Sequence, residues 1–292
     1  MFASPNRWRM QVAEAPTTTK VADILALGIL SSLGDARFKL RRTVLRDSWL
    51  RFPNSRVSVQ ARFVVRCGQH QEPVTLWHTV ARAENTSGDM LCASAPTSDG
   101  RLRGPIIALV WWLRHATVAF PMAAFYGKCD DDVYLHLPSV ENMLRGVPLA
   151  LASQAYVGYV MYAQLELNIS GANPNETRYE FHAFAPTAIF SRLASKPQSR
   201  CQGDRGRSSR TAGLALTNTQ SCLGPLPFQC GPFYAIGRRA VHALLQSRRA
   251  LDADLRHLRA LPPWHPKVLD DAWMGAALWR FVGSRMSIAV RP

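Results

Sequence analysis

The sequence has no apolar run long enough to cross a bilayer; its best, Ile24 to Leu33, is too short, and Asp23 before it denies the flanks of a signal peptide. None of the six cysteines, Cys67, Cys92, Cys129, Cys201, Cys222 and Cys230, pairs with another as CxxC, which argues against a zinc site. Their even number permits up to three disulfides in an oxidising compartment. Internal repeats are missing, as are helix-turn-helix, zinc-finger and RNP-like patterns, which weighs against a dedicated nucleic-acid reader. Acidic residues are scarce: 20 Asp and Glu face 35 Lys and Arg, for a net charge of +15. Such a balance favours anionic partners such as nucleic acid, anionic lipid or phosphate-bearing small molecules. The arginines are spread along the chain, so most of the excess reads as a solvated basic surface.

What the chain does have is a core. Of its 292 residues, 47% are hydrophobic, enough for one large α/β domain or two small ones and too many for predominant disorder. Within this basic chain three consecutive aspartates, Asp130-Asp131-Asp132, follow the apolar run 123–129. That run reads as a buried strand. Carboxylates at the C-terminal end of a buried strand can hold a hard divalent cation by oxygen. In an open α/β sheet the same strand ends are where ligands bind. A solvated turn or a helix cap is the plainer alternative.

The spacing predicts a β-α-β opening. Val21 to Ser31 reads as a first buried strand, Ala36 to Leu50 as a helix capped by Asp35, and Arg56 to Cys67 as a second strand. A parallel sheet covered by helices follows from that order. Residues 72–101 are irregular, with a short helix and a loop expected. Gly104 to Ala119 is a strong helix candidate, and His136 to Arg145 a short one opened near Pro138. Ala155 to Leu167 reads as strand and hairpin. Residues 1–20 are expected to be loosely ordered, and Ser195 to Thr219 to form a mobile surface insertion in an otherwise single domain, 21–292. A helix is expected from Gly237 to about Leu251, with room for a second to Leu261. The last helix opens at Asp270-Asp271, whose carboxylates suit a helix N-terminus. His182 and His265 are isolated and read as structural or surface residues, and Trp49 as core.

Four ordered segments carry a family resemblance. They are Arg41-Arg42-Thr43-Val44-Leu45-Arg46-Asp47-Ser48-Trp49, then Lys128-Cys129-Asp130-Asp131-Asp132-Val133-Tyr134, then Pro227-Phe228-Gln229-Cys230-Gly231-Pro232-Phe233-Tyr234, and Leu269-Asp270-Asp271-Ala272-Trp273-Met274-Gly275. Together the chain resembles the β1,3-galactosyltransferase-like glycosyltransferases (family 31), which transfer a sugar from a UDP-sugar. The resemblance implies a GT-A-type fold, a Rossmann-like, mostly parallel mixed sheet flanked by helices. It also implies an inverting transfer of galactose or N-acetylglucosamine to a glycan or glycoprotein hydroxyl in a β1,3 linkage.

Roles for individual residues follow from the resemblance and from residue chemistry. Asp132, with Asp130, is expected to bind Mn²⁺ or Mg²⁺ beside the donor diphosphate. Asp130 is expected to face the ribose or the metal's water shell, and Asp131 to orient the other two. Lys128, Arg42 and Arg46 are expected at the donor; the two arginines lie four apart on one helix face, where a solvated basic helix is the bland alternative. Asp271 maps to the general base, with Asp270 beside it, although simple helix capping is also open. Gly231, Tyr234 and Trp273 are expected towards the substrate. The family commonly has an N-terminal membrane anchor and a Golgi or secretory-lumen location as a type II membrane protein. The sequons at Asn85, Asn168 and Asn175 lean the same way. It often adds a further strand and a metal-binding histidine after the Asp271 segment. No histidine follows His265, so three expectations stand: a metal site completed by water, a shortened chain, or an inactive relative that binds glycans. A basic nucleic-acid-binding protein is the remaining alternative.

Overall fold

The apolar run that opens the chain becomes the centre of a sheet, as its lack of polar alternation requires. In the computed structural model this run is β1 (Leu25–Ser32), buried along nearly its whole length. The structure describes residues 24–33, 35–51, 58–67, 80–82, 84–85, 87–95, 104–168, 178–184, 221–260, 270–282 and 287–290. The expected loose segment 1–20 and the insertion 195–219 lie outside them.

The opening β-α-β unit is present. Asp35 accepts a hydrogen bond from the Arg37 N–H and so caps α1 (Ala36–Asp47), a turn shorter than the spacing suggested; a 3-10 turn, Trp49–Arg51, follows. β2 (Val59–Arg66) runs parallel to β1 on one side and β4 (Phe125–Asp130) parallel on the other. Between β2 and β4 in sequence, β3 (Met90–Ala93) forms in the stretch expected to be helix and loop, and pairs parallel with the outer side of β2. Four residues are too few for an alternation to register. α2 is Gly104–Ala119, as its composition required.

After β4 come α3 (Leu137–Arg145), with Pro138 in its first turn, and α4 (Leu149–Ala152). β5 (Ala155–Asn168), β6 (Arg178–Phe184) and β7 (Ser221–Gly237) then turn the sheet antiparallel. Of the two helices for which the sequence left room, the first ends earlier than expected, as α5 (Arg238–Gln246), and the second is α6 (Arg248–Ala260). α7 (Asp270–Phe281) opens on the two aspartates. β8 (Ser287–Val290) pairs parallel with the first residues of β5, a further strand after the Asp271 segment. The eight strands form one sheet in the order β3-β2-β1-β4-β7-β5-β6, with β8 beside β5.

Helices cover both faces. Leu25, Leu27 and Ile29 of β1 pack with Phe63, Val65, Leu45, Trp49, Val140 and Leu144, on the α1 and α3 side. Ala26 joins Tyr126, Tyr156, Tyr234, Trp112, Leu244, Leu255 and Met274, on the side of α2, α5, α6 and α7. This is the period-two division of a strand buried on both faces. Gly28 falls in the second series because Trp112 needs the space: a Cβ there would lie 2.6 Å from the indole. The indole N–H of Trp112 then donates to the Gly127 carbonyl at 2.9 Å, fixing α2 across β1 and β4. Among the described residues no helix is long and apolar enough to cross a membrane. Cys67 and Cys92 form a disulfide between the end of β2 and β3, whereas Cys129 is free and buried.

Candidate active site

The strand geometry distributes the aspartate triplet. Lys128 shares the parity of Tyr126, so its side chain enters the face on which α7 lies. Its Nζ is 2.9 Å from Asp130 Oδ1, 3.0 Å from Asp270 Oδ2 and 3.1 Å from Asp271 Oδ1, and 5.7 Å from the centre of the Tyr234 ring. The lysine is only 1% exposed. Burial opposes its charge, but Asp270, Asp271 and Asp130 together hold its pKa well above the usual lysine range. A buried cation among three carboxylates is stable only as a set, because removing one partner leaves a charge uncompensated.

Asp131 turns the other way. It is buried and accepts hydrogen bonds from Ser31 Oγ at 2.6 Å and from Arg41 at 3.0 Å. Ser31 lies in the last two residues of β1, and Arg41 comes from α1, so Asp131 ties the strand ends to the first helix. Burial raises its pKa against the opposing pull of Ser31 and Arg41. Arg41 extends its other nitrogen to Asp132 Oδ2 at 3.2 Å. Asp132 and Asp130 are the open carboxylates of the triplet, with side chains 53% and 42% exposed.

The base candidate is held from two sides. Asp271 Oδ1 pairs with Lys128, and Oδ2 accepts the Gly231 N–H at 2.9 Å. Gly231 lies on β7 with φ +106°, a backbone conformation that favours glycine. A Cβ there would meet nothing within 4 Å, so its conformation, not close packing, calls for glycine. Burial first, and then Asp270, push the Asp271 pKa up to about 6, with Lys128 and the Gly231 N–H pulling down. Asp130 is also raised, chiefly by burial. Asp270 Oδ2 makes an ion pair with Lys128 but no hydrogen bond among the described residues.

Several expected residues are used otherwise. Arg42 is buried; it donates to Ser31 Oγ at 2.8 Å and to the Ser32 carbonyl at 2.7 Å, and pairs with Glu84. Arg46 forms a fork with both oxygens of Asp89 at 2.8 Å and lies over Phe63. Their shared helix face therefore leads to two acids just before β3 and not to a common anion. Lys128 spends its charge on carboxylates and is closed to a donor. Tyr234 is 0% exposed and Trp273 6% exposed, so both belong to the core beneath α7 and neither faces a substrate. The Tyr234 hydroxyl has no hydrogen-bond partner among the described residues, and burial keeps its pKa well above the ordinary value. Trp49 is core as expected, its indole N–H donating to the Val133 carbonyl at 3.1 Å. His182 is described by its strand alone, and His265 lies outside the described residues. Sequence reasoning missed Arg41 as the arginine that reaches the triplet, and Ser31 as its link to β1. The polar pair Ser31-Ser32 closing an otherwise apolar strand was the available signal.

Among the described residues no group of three or more His, Cys, Asp or Glu is arranged to hold a metal ion. The donor set fits a different kind of site. An exposed and a half-buried carboxylate at a strand end, Asp132 and Asp130, suit a hard cation that takes its other ligands from substrate phosphate and water.

An open α/β sheet with its carboxylates gathered where the central strands end, and a helix N-terminus delivering two more, is consistent with the α/β GT-A-like fold class. The chain belongs to the galactosyltransferase family: that family's model matches residues 40–253, from within α1 to the first half of α6, and it is of the family 31 type. It is thus a glycosyltransferase by family. The matched range includes the triplet and Gly231, and ends before Asp270-Asp271. No curated protein matches the chain.

Proposed function

We propose that this protein is an inverting transferase that moves galactose or N-acetylglucosamine from a UDP-sugar to a glycan or glycoprotein hydroxyl, forming a β1,3 linkage. One observation carries the reading. Asp271, a mostly buried carboxylate with a pKa near 6, is fixed by Lys128 and the Gly231 N–H beside the strand end that bears the triplet. A base with that pKa is ionised at neutral pH and still basic enough to accept a proton in a transition state.

The acceptor oxygen attacks the anomeric carbon while Asp271 takes the hydroxyl proton. The anomeric carbon–oxygen bond to the diphosphate breaks on the opposite side, and its electron pair leaves with UDP. Both Asp271 oxygens already accept a hydrogen bond or ion pair, which fixes the carboxylate plane and leaves lone pairs for the incoming hydroxyl. Asp132 and Asp130 would hold Mn²⁺ or Mg²⁺. When bound, the cation neutralises charge on the leaving diphosphate. Asp131, through Arg41, sets the direction of Asp132. The Cys67–Cys92 disulfide and the sequons support a Golgi or secretory-pathway lumen, where glycan acceptors and UDP-sugars meet.

The test compares binding with turnover. Mn²⁺ with UDP raises the melting temperature of the wild type, and Asp132→Asn loses that rise. Asp271→Asn keeps it but loses transfer by about a hundredfold or more, the usual contribution of a positioned base. UDP release measured with UDP-galactose and UDP-N-acetylglucosamine identifies the donor. A wild type that UDP leaves unstabilised at every Mn²⁺ concentration removes the reading.

A further inference from the structure

We propose that Arg41 is an internal competitor for the divalent cation at Asp132, and that it makes cation and nucleoside diphosphate bind as a pair in preference to singly. The inference rests on the transferase reading above and adds the origin of the coupling between its two ligands.

Among the described residues five carboxylates, Asp130, Asp131, Asp132, Asp270 and Asp271, are served by two cations. Lys128 takes Asp130, Asp270 and Asp271, and at 1% exposure it has no freedom to leave them. Arg41 takes Asp131 and Asp132, at 3.0 and 3.2 Å, and its side chain is 40% exposed. The Asp131 end of this bridge is anchored in the core. Asp131 also accepts from Ser31, and Ser31 is held by the buried Arg42. The Asp132 end is the open one. The guanidinium and a divalent cation therefore share one carboxylate, and like charges at that separation repel.

A cation arriving alone must weaken the Arg41–Asp132 pair and sit beside an uncompensated guanidinium. A cation arriving with a diphosphate brings the negative charge that offsets both. Diphosphate oxygens are also good partners for a planar guanidinium fork. Arg41 thus lowers affinity for the cation alone and raises the factor by which nucleotide improves it. By linkage, the cation improves nucleotide binding by the same factor.

The experiment follows free Mn²⁺ by its electron paramagnetic resonance signal, with and without saturating UDP, in wild type, Arg41→Met and Arg41→Lys. In the wild type UDP tightens Mn²⁺ binding strongly. Arg41→Met binds Mn²⁺ alone about fivefold tighter than wild type, the size of a partly exposed ion pair, and UDP tightens it less. Arg41→Lys keeps the charge but cannot span two carboxylates, and falls between them. Should Arg41→Met fail to fold, Arg41→Lys must still bind Mn²⁺ alone more tightly than wild type. If neither folded variant binds Mn²⁺ alone more tightly while wild type retains its UDP effect, the role of Arg41 is overturned and the transferase reading stands. A wild type that takes no Mn²⁺ even with UDP overturns both.

Discussion

Lys128 shows how one buried charge can organise a site. Three carboxylates from two distant segments are within 3.1 Å of its Nζ, and each is unfavourable in place without it. Lys128→Met leaves those acids uncompensated and is expected to cost about 3–5 kcal/mol of stability. Adding Asp270→Asn removes one of the stranded charges and should recover part of that loss, which urea denaturation of the single and double variants measures. The same cation sets the pH behaviour of Asp271. With Asp271 as the proposed base, transfer requires it ionised, so kcat/KM is expected to fall about tenfold per unit below pH 6 and to level off above it. Lys128 pulls that pKa down, so any active Lys128→Met enzyme should show its acid limb at higher pH. An acid limb absent in wild type between pH 5 and 6 counts against Asp271 as the base.

Among the elements, β7 and α7 bring the second pair of acids to the first. β7 lies antiparallel to β4 with Lys128 opposite Tyr234, and its irregular passage around Gly231 points one backbone N–H at Asp271. Gly231→Ala meets no steric obstacle but forces a side chain onto φ +106°. It is expected to cost about 1–3 kcal/mol and to loosen Asp271, lowering kcat more than it raises KM. A Gly231→Ala enzyme with wild-type melting temperature and kcat would show that the N–H tether is dispensable. α1 has a parallel task. Arg42 and Arg46 read as one face directed at the donor, yet among the described residues it is Arg41 that reaches the triplet, while Arg42 and Arg46 clamp the segment before β3 through Glu84 and Asp89. Their partners lie over forty residues away in sequence, in a stretch without clear periodicity, so nothing in the helix itself revealed the division of labour.

Across the whole molecule, a strongly basic chain gathers five of its acids, Asp130, Asp131, Asp132, Asp270 and Asp271, at the C-terminal ends of the central strands. The Cys67–Cys92 disulfide sits on the far side of the parallel half, where β3 is short and at the sheet edge. It closes a loop of 25 residues, so Cys67→Ser is expected to cost roughly 3 kcal/mol by the loop-closure argument. Thermal melts of the variant and of reduced wild type should agree; unchanged melting would mean that β3 is held by its ladder alone.

The parallel β-α-β opening, α2, the buried strand before the triplet and the helix that starts at Asp270 were all legible in the chain, because each is set by local spacing of apolar residues over a turn or more. The family motifs were legible for the same reason: they are short, contiguous and ordered. β3 and β8, four residues each, carry too little pattern, and their existence depends on β2 and β5 offering an open edge. Side-chain roles within the motifs were not legible either. Whether Lys128 meets a donor or three carboxylates, whether Tyr234 and Trp273 line a site or a core, and which of three arginines reaches Asp132 depend on which segments meet across the sheet. Burial and charge pairing are properties of that meeting, and a linear sequence holds neither.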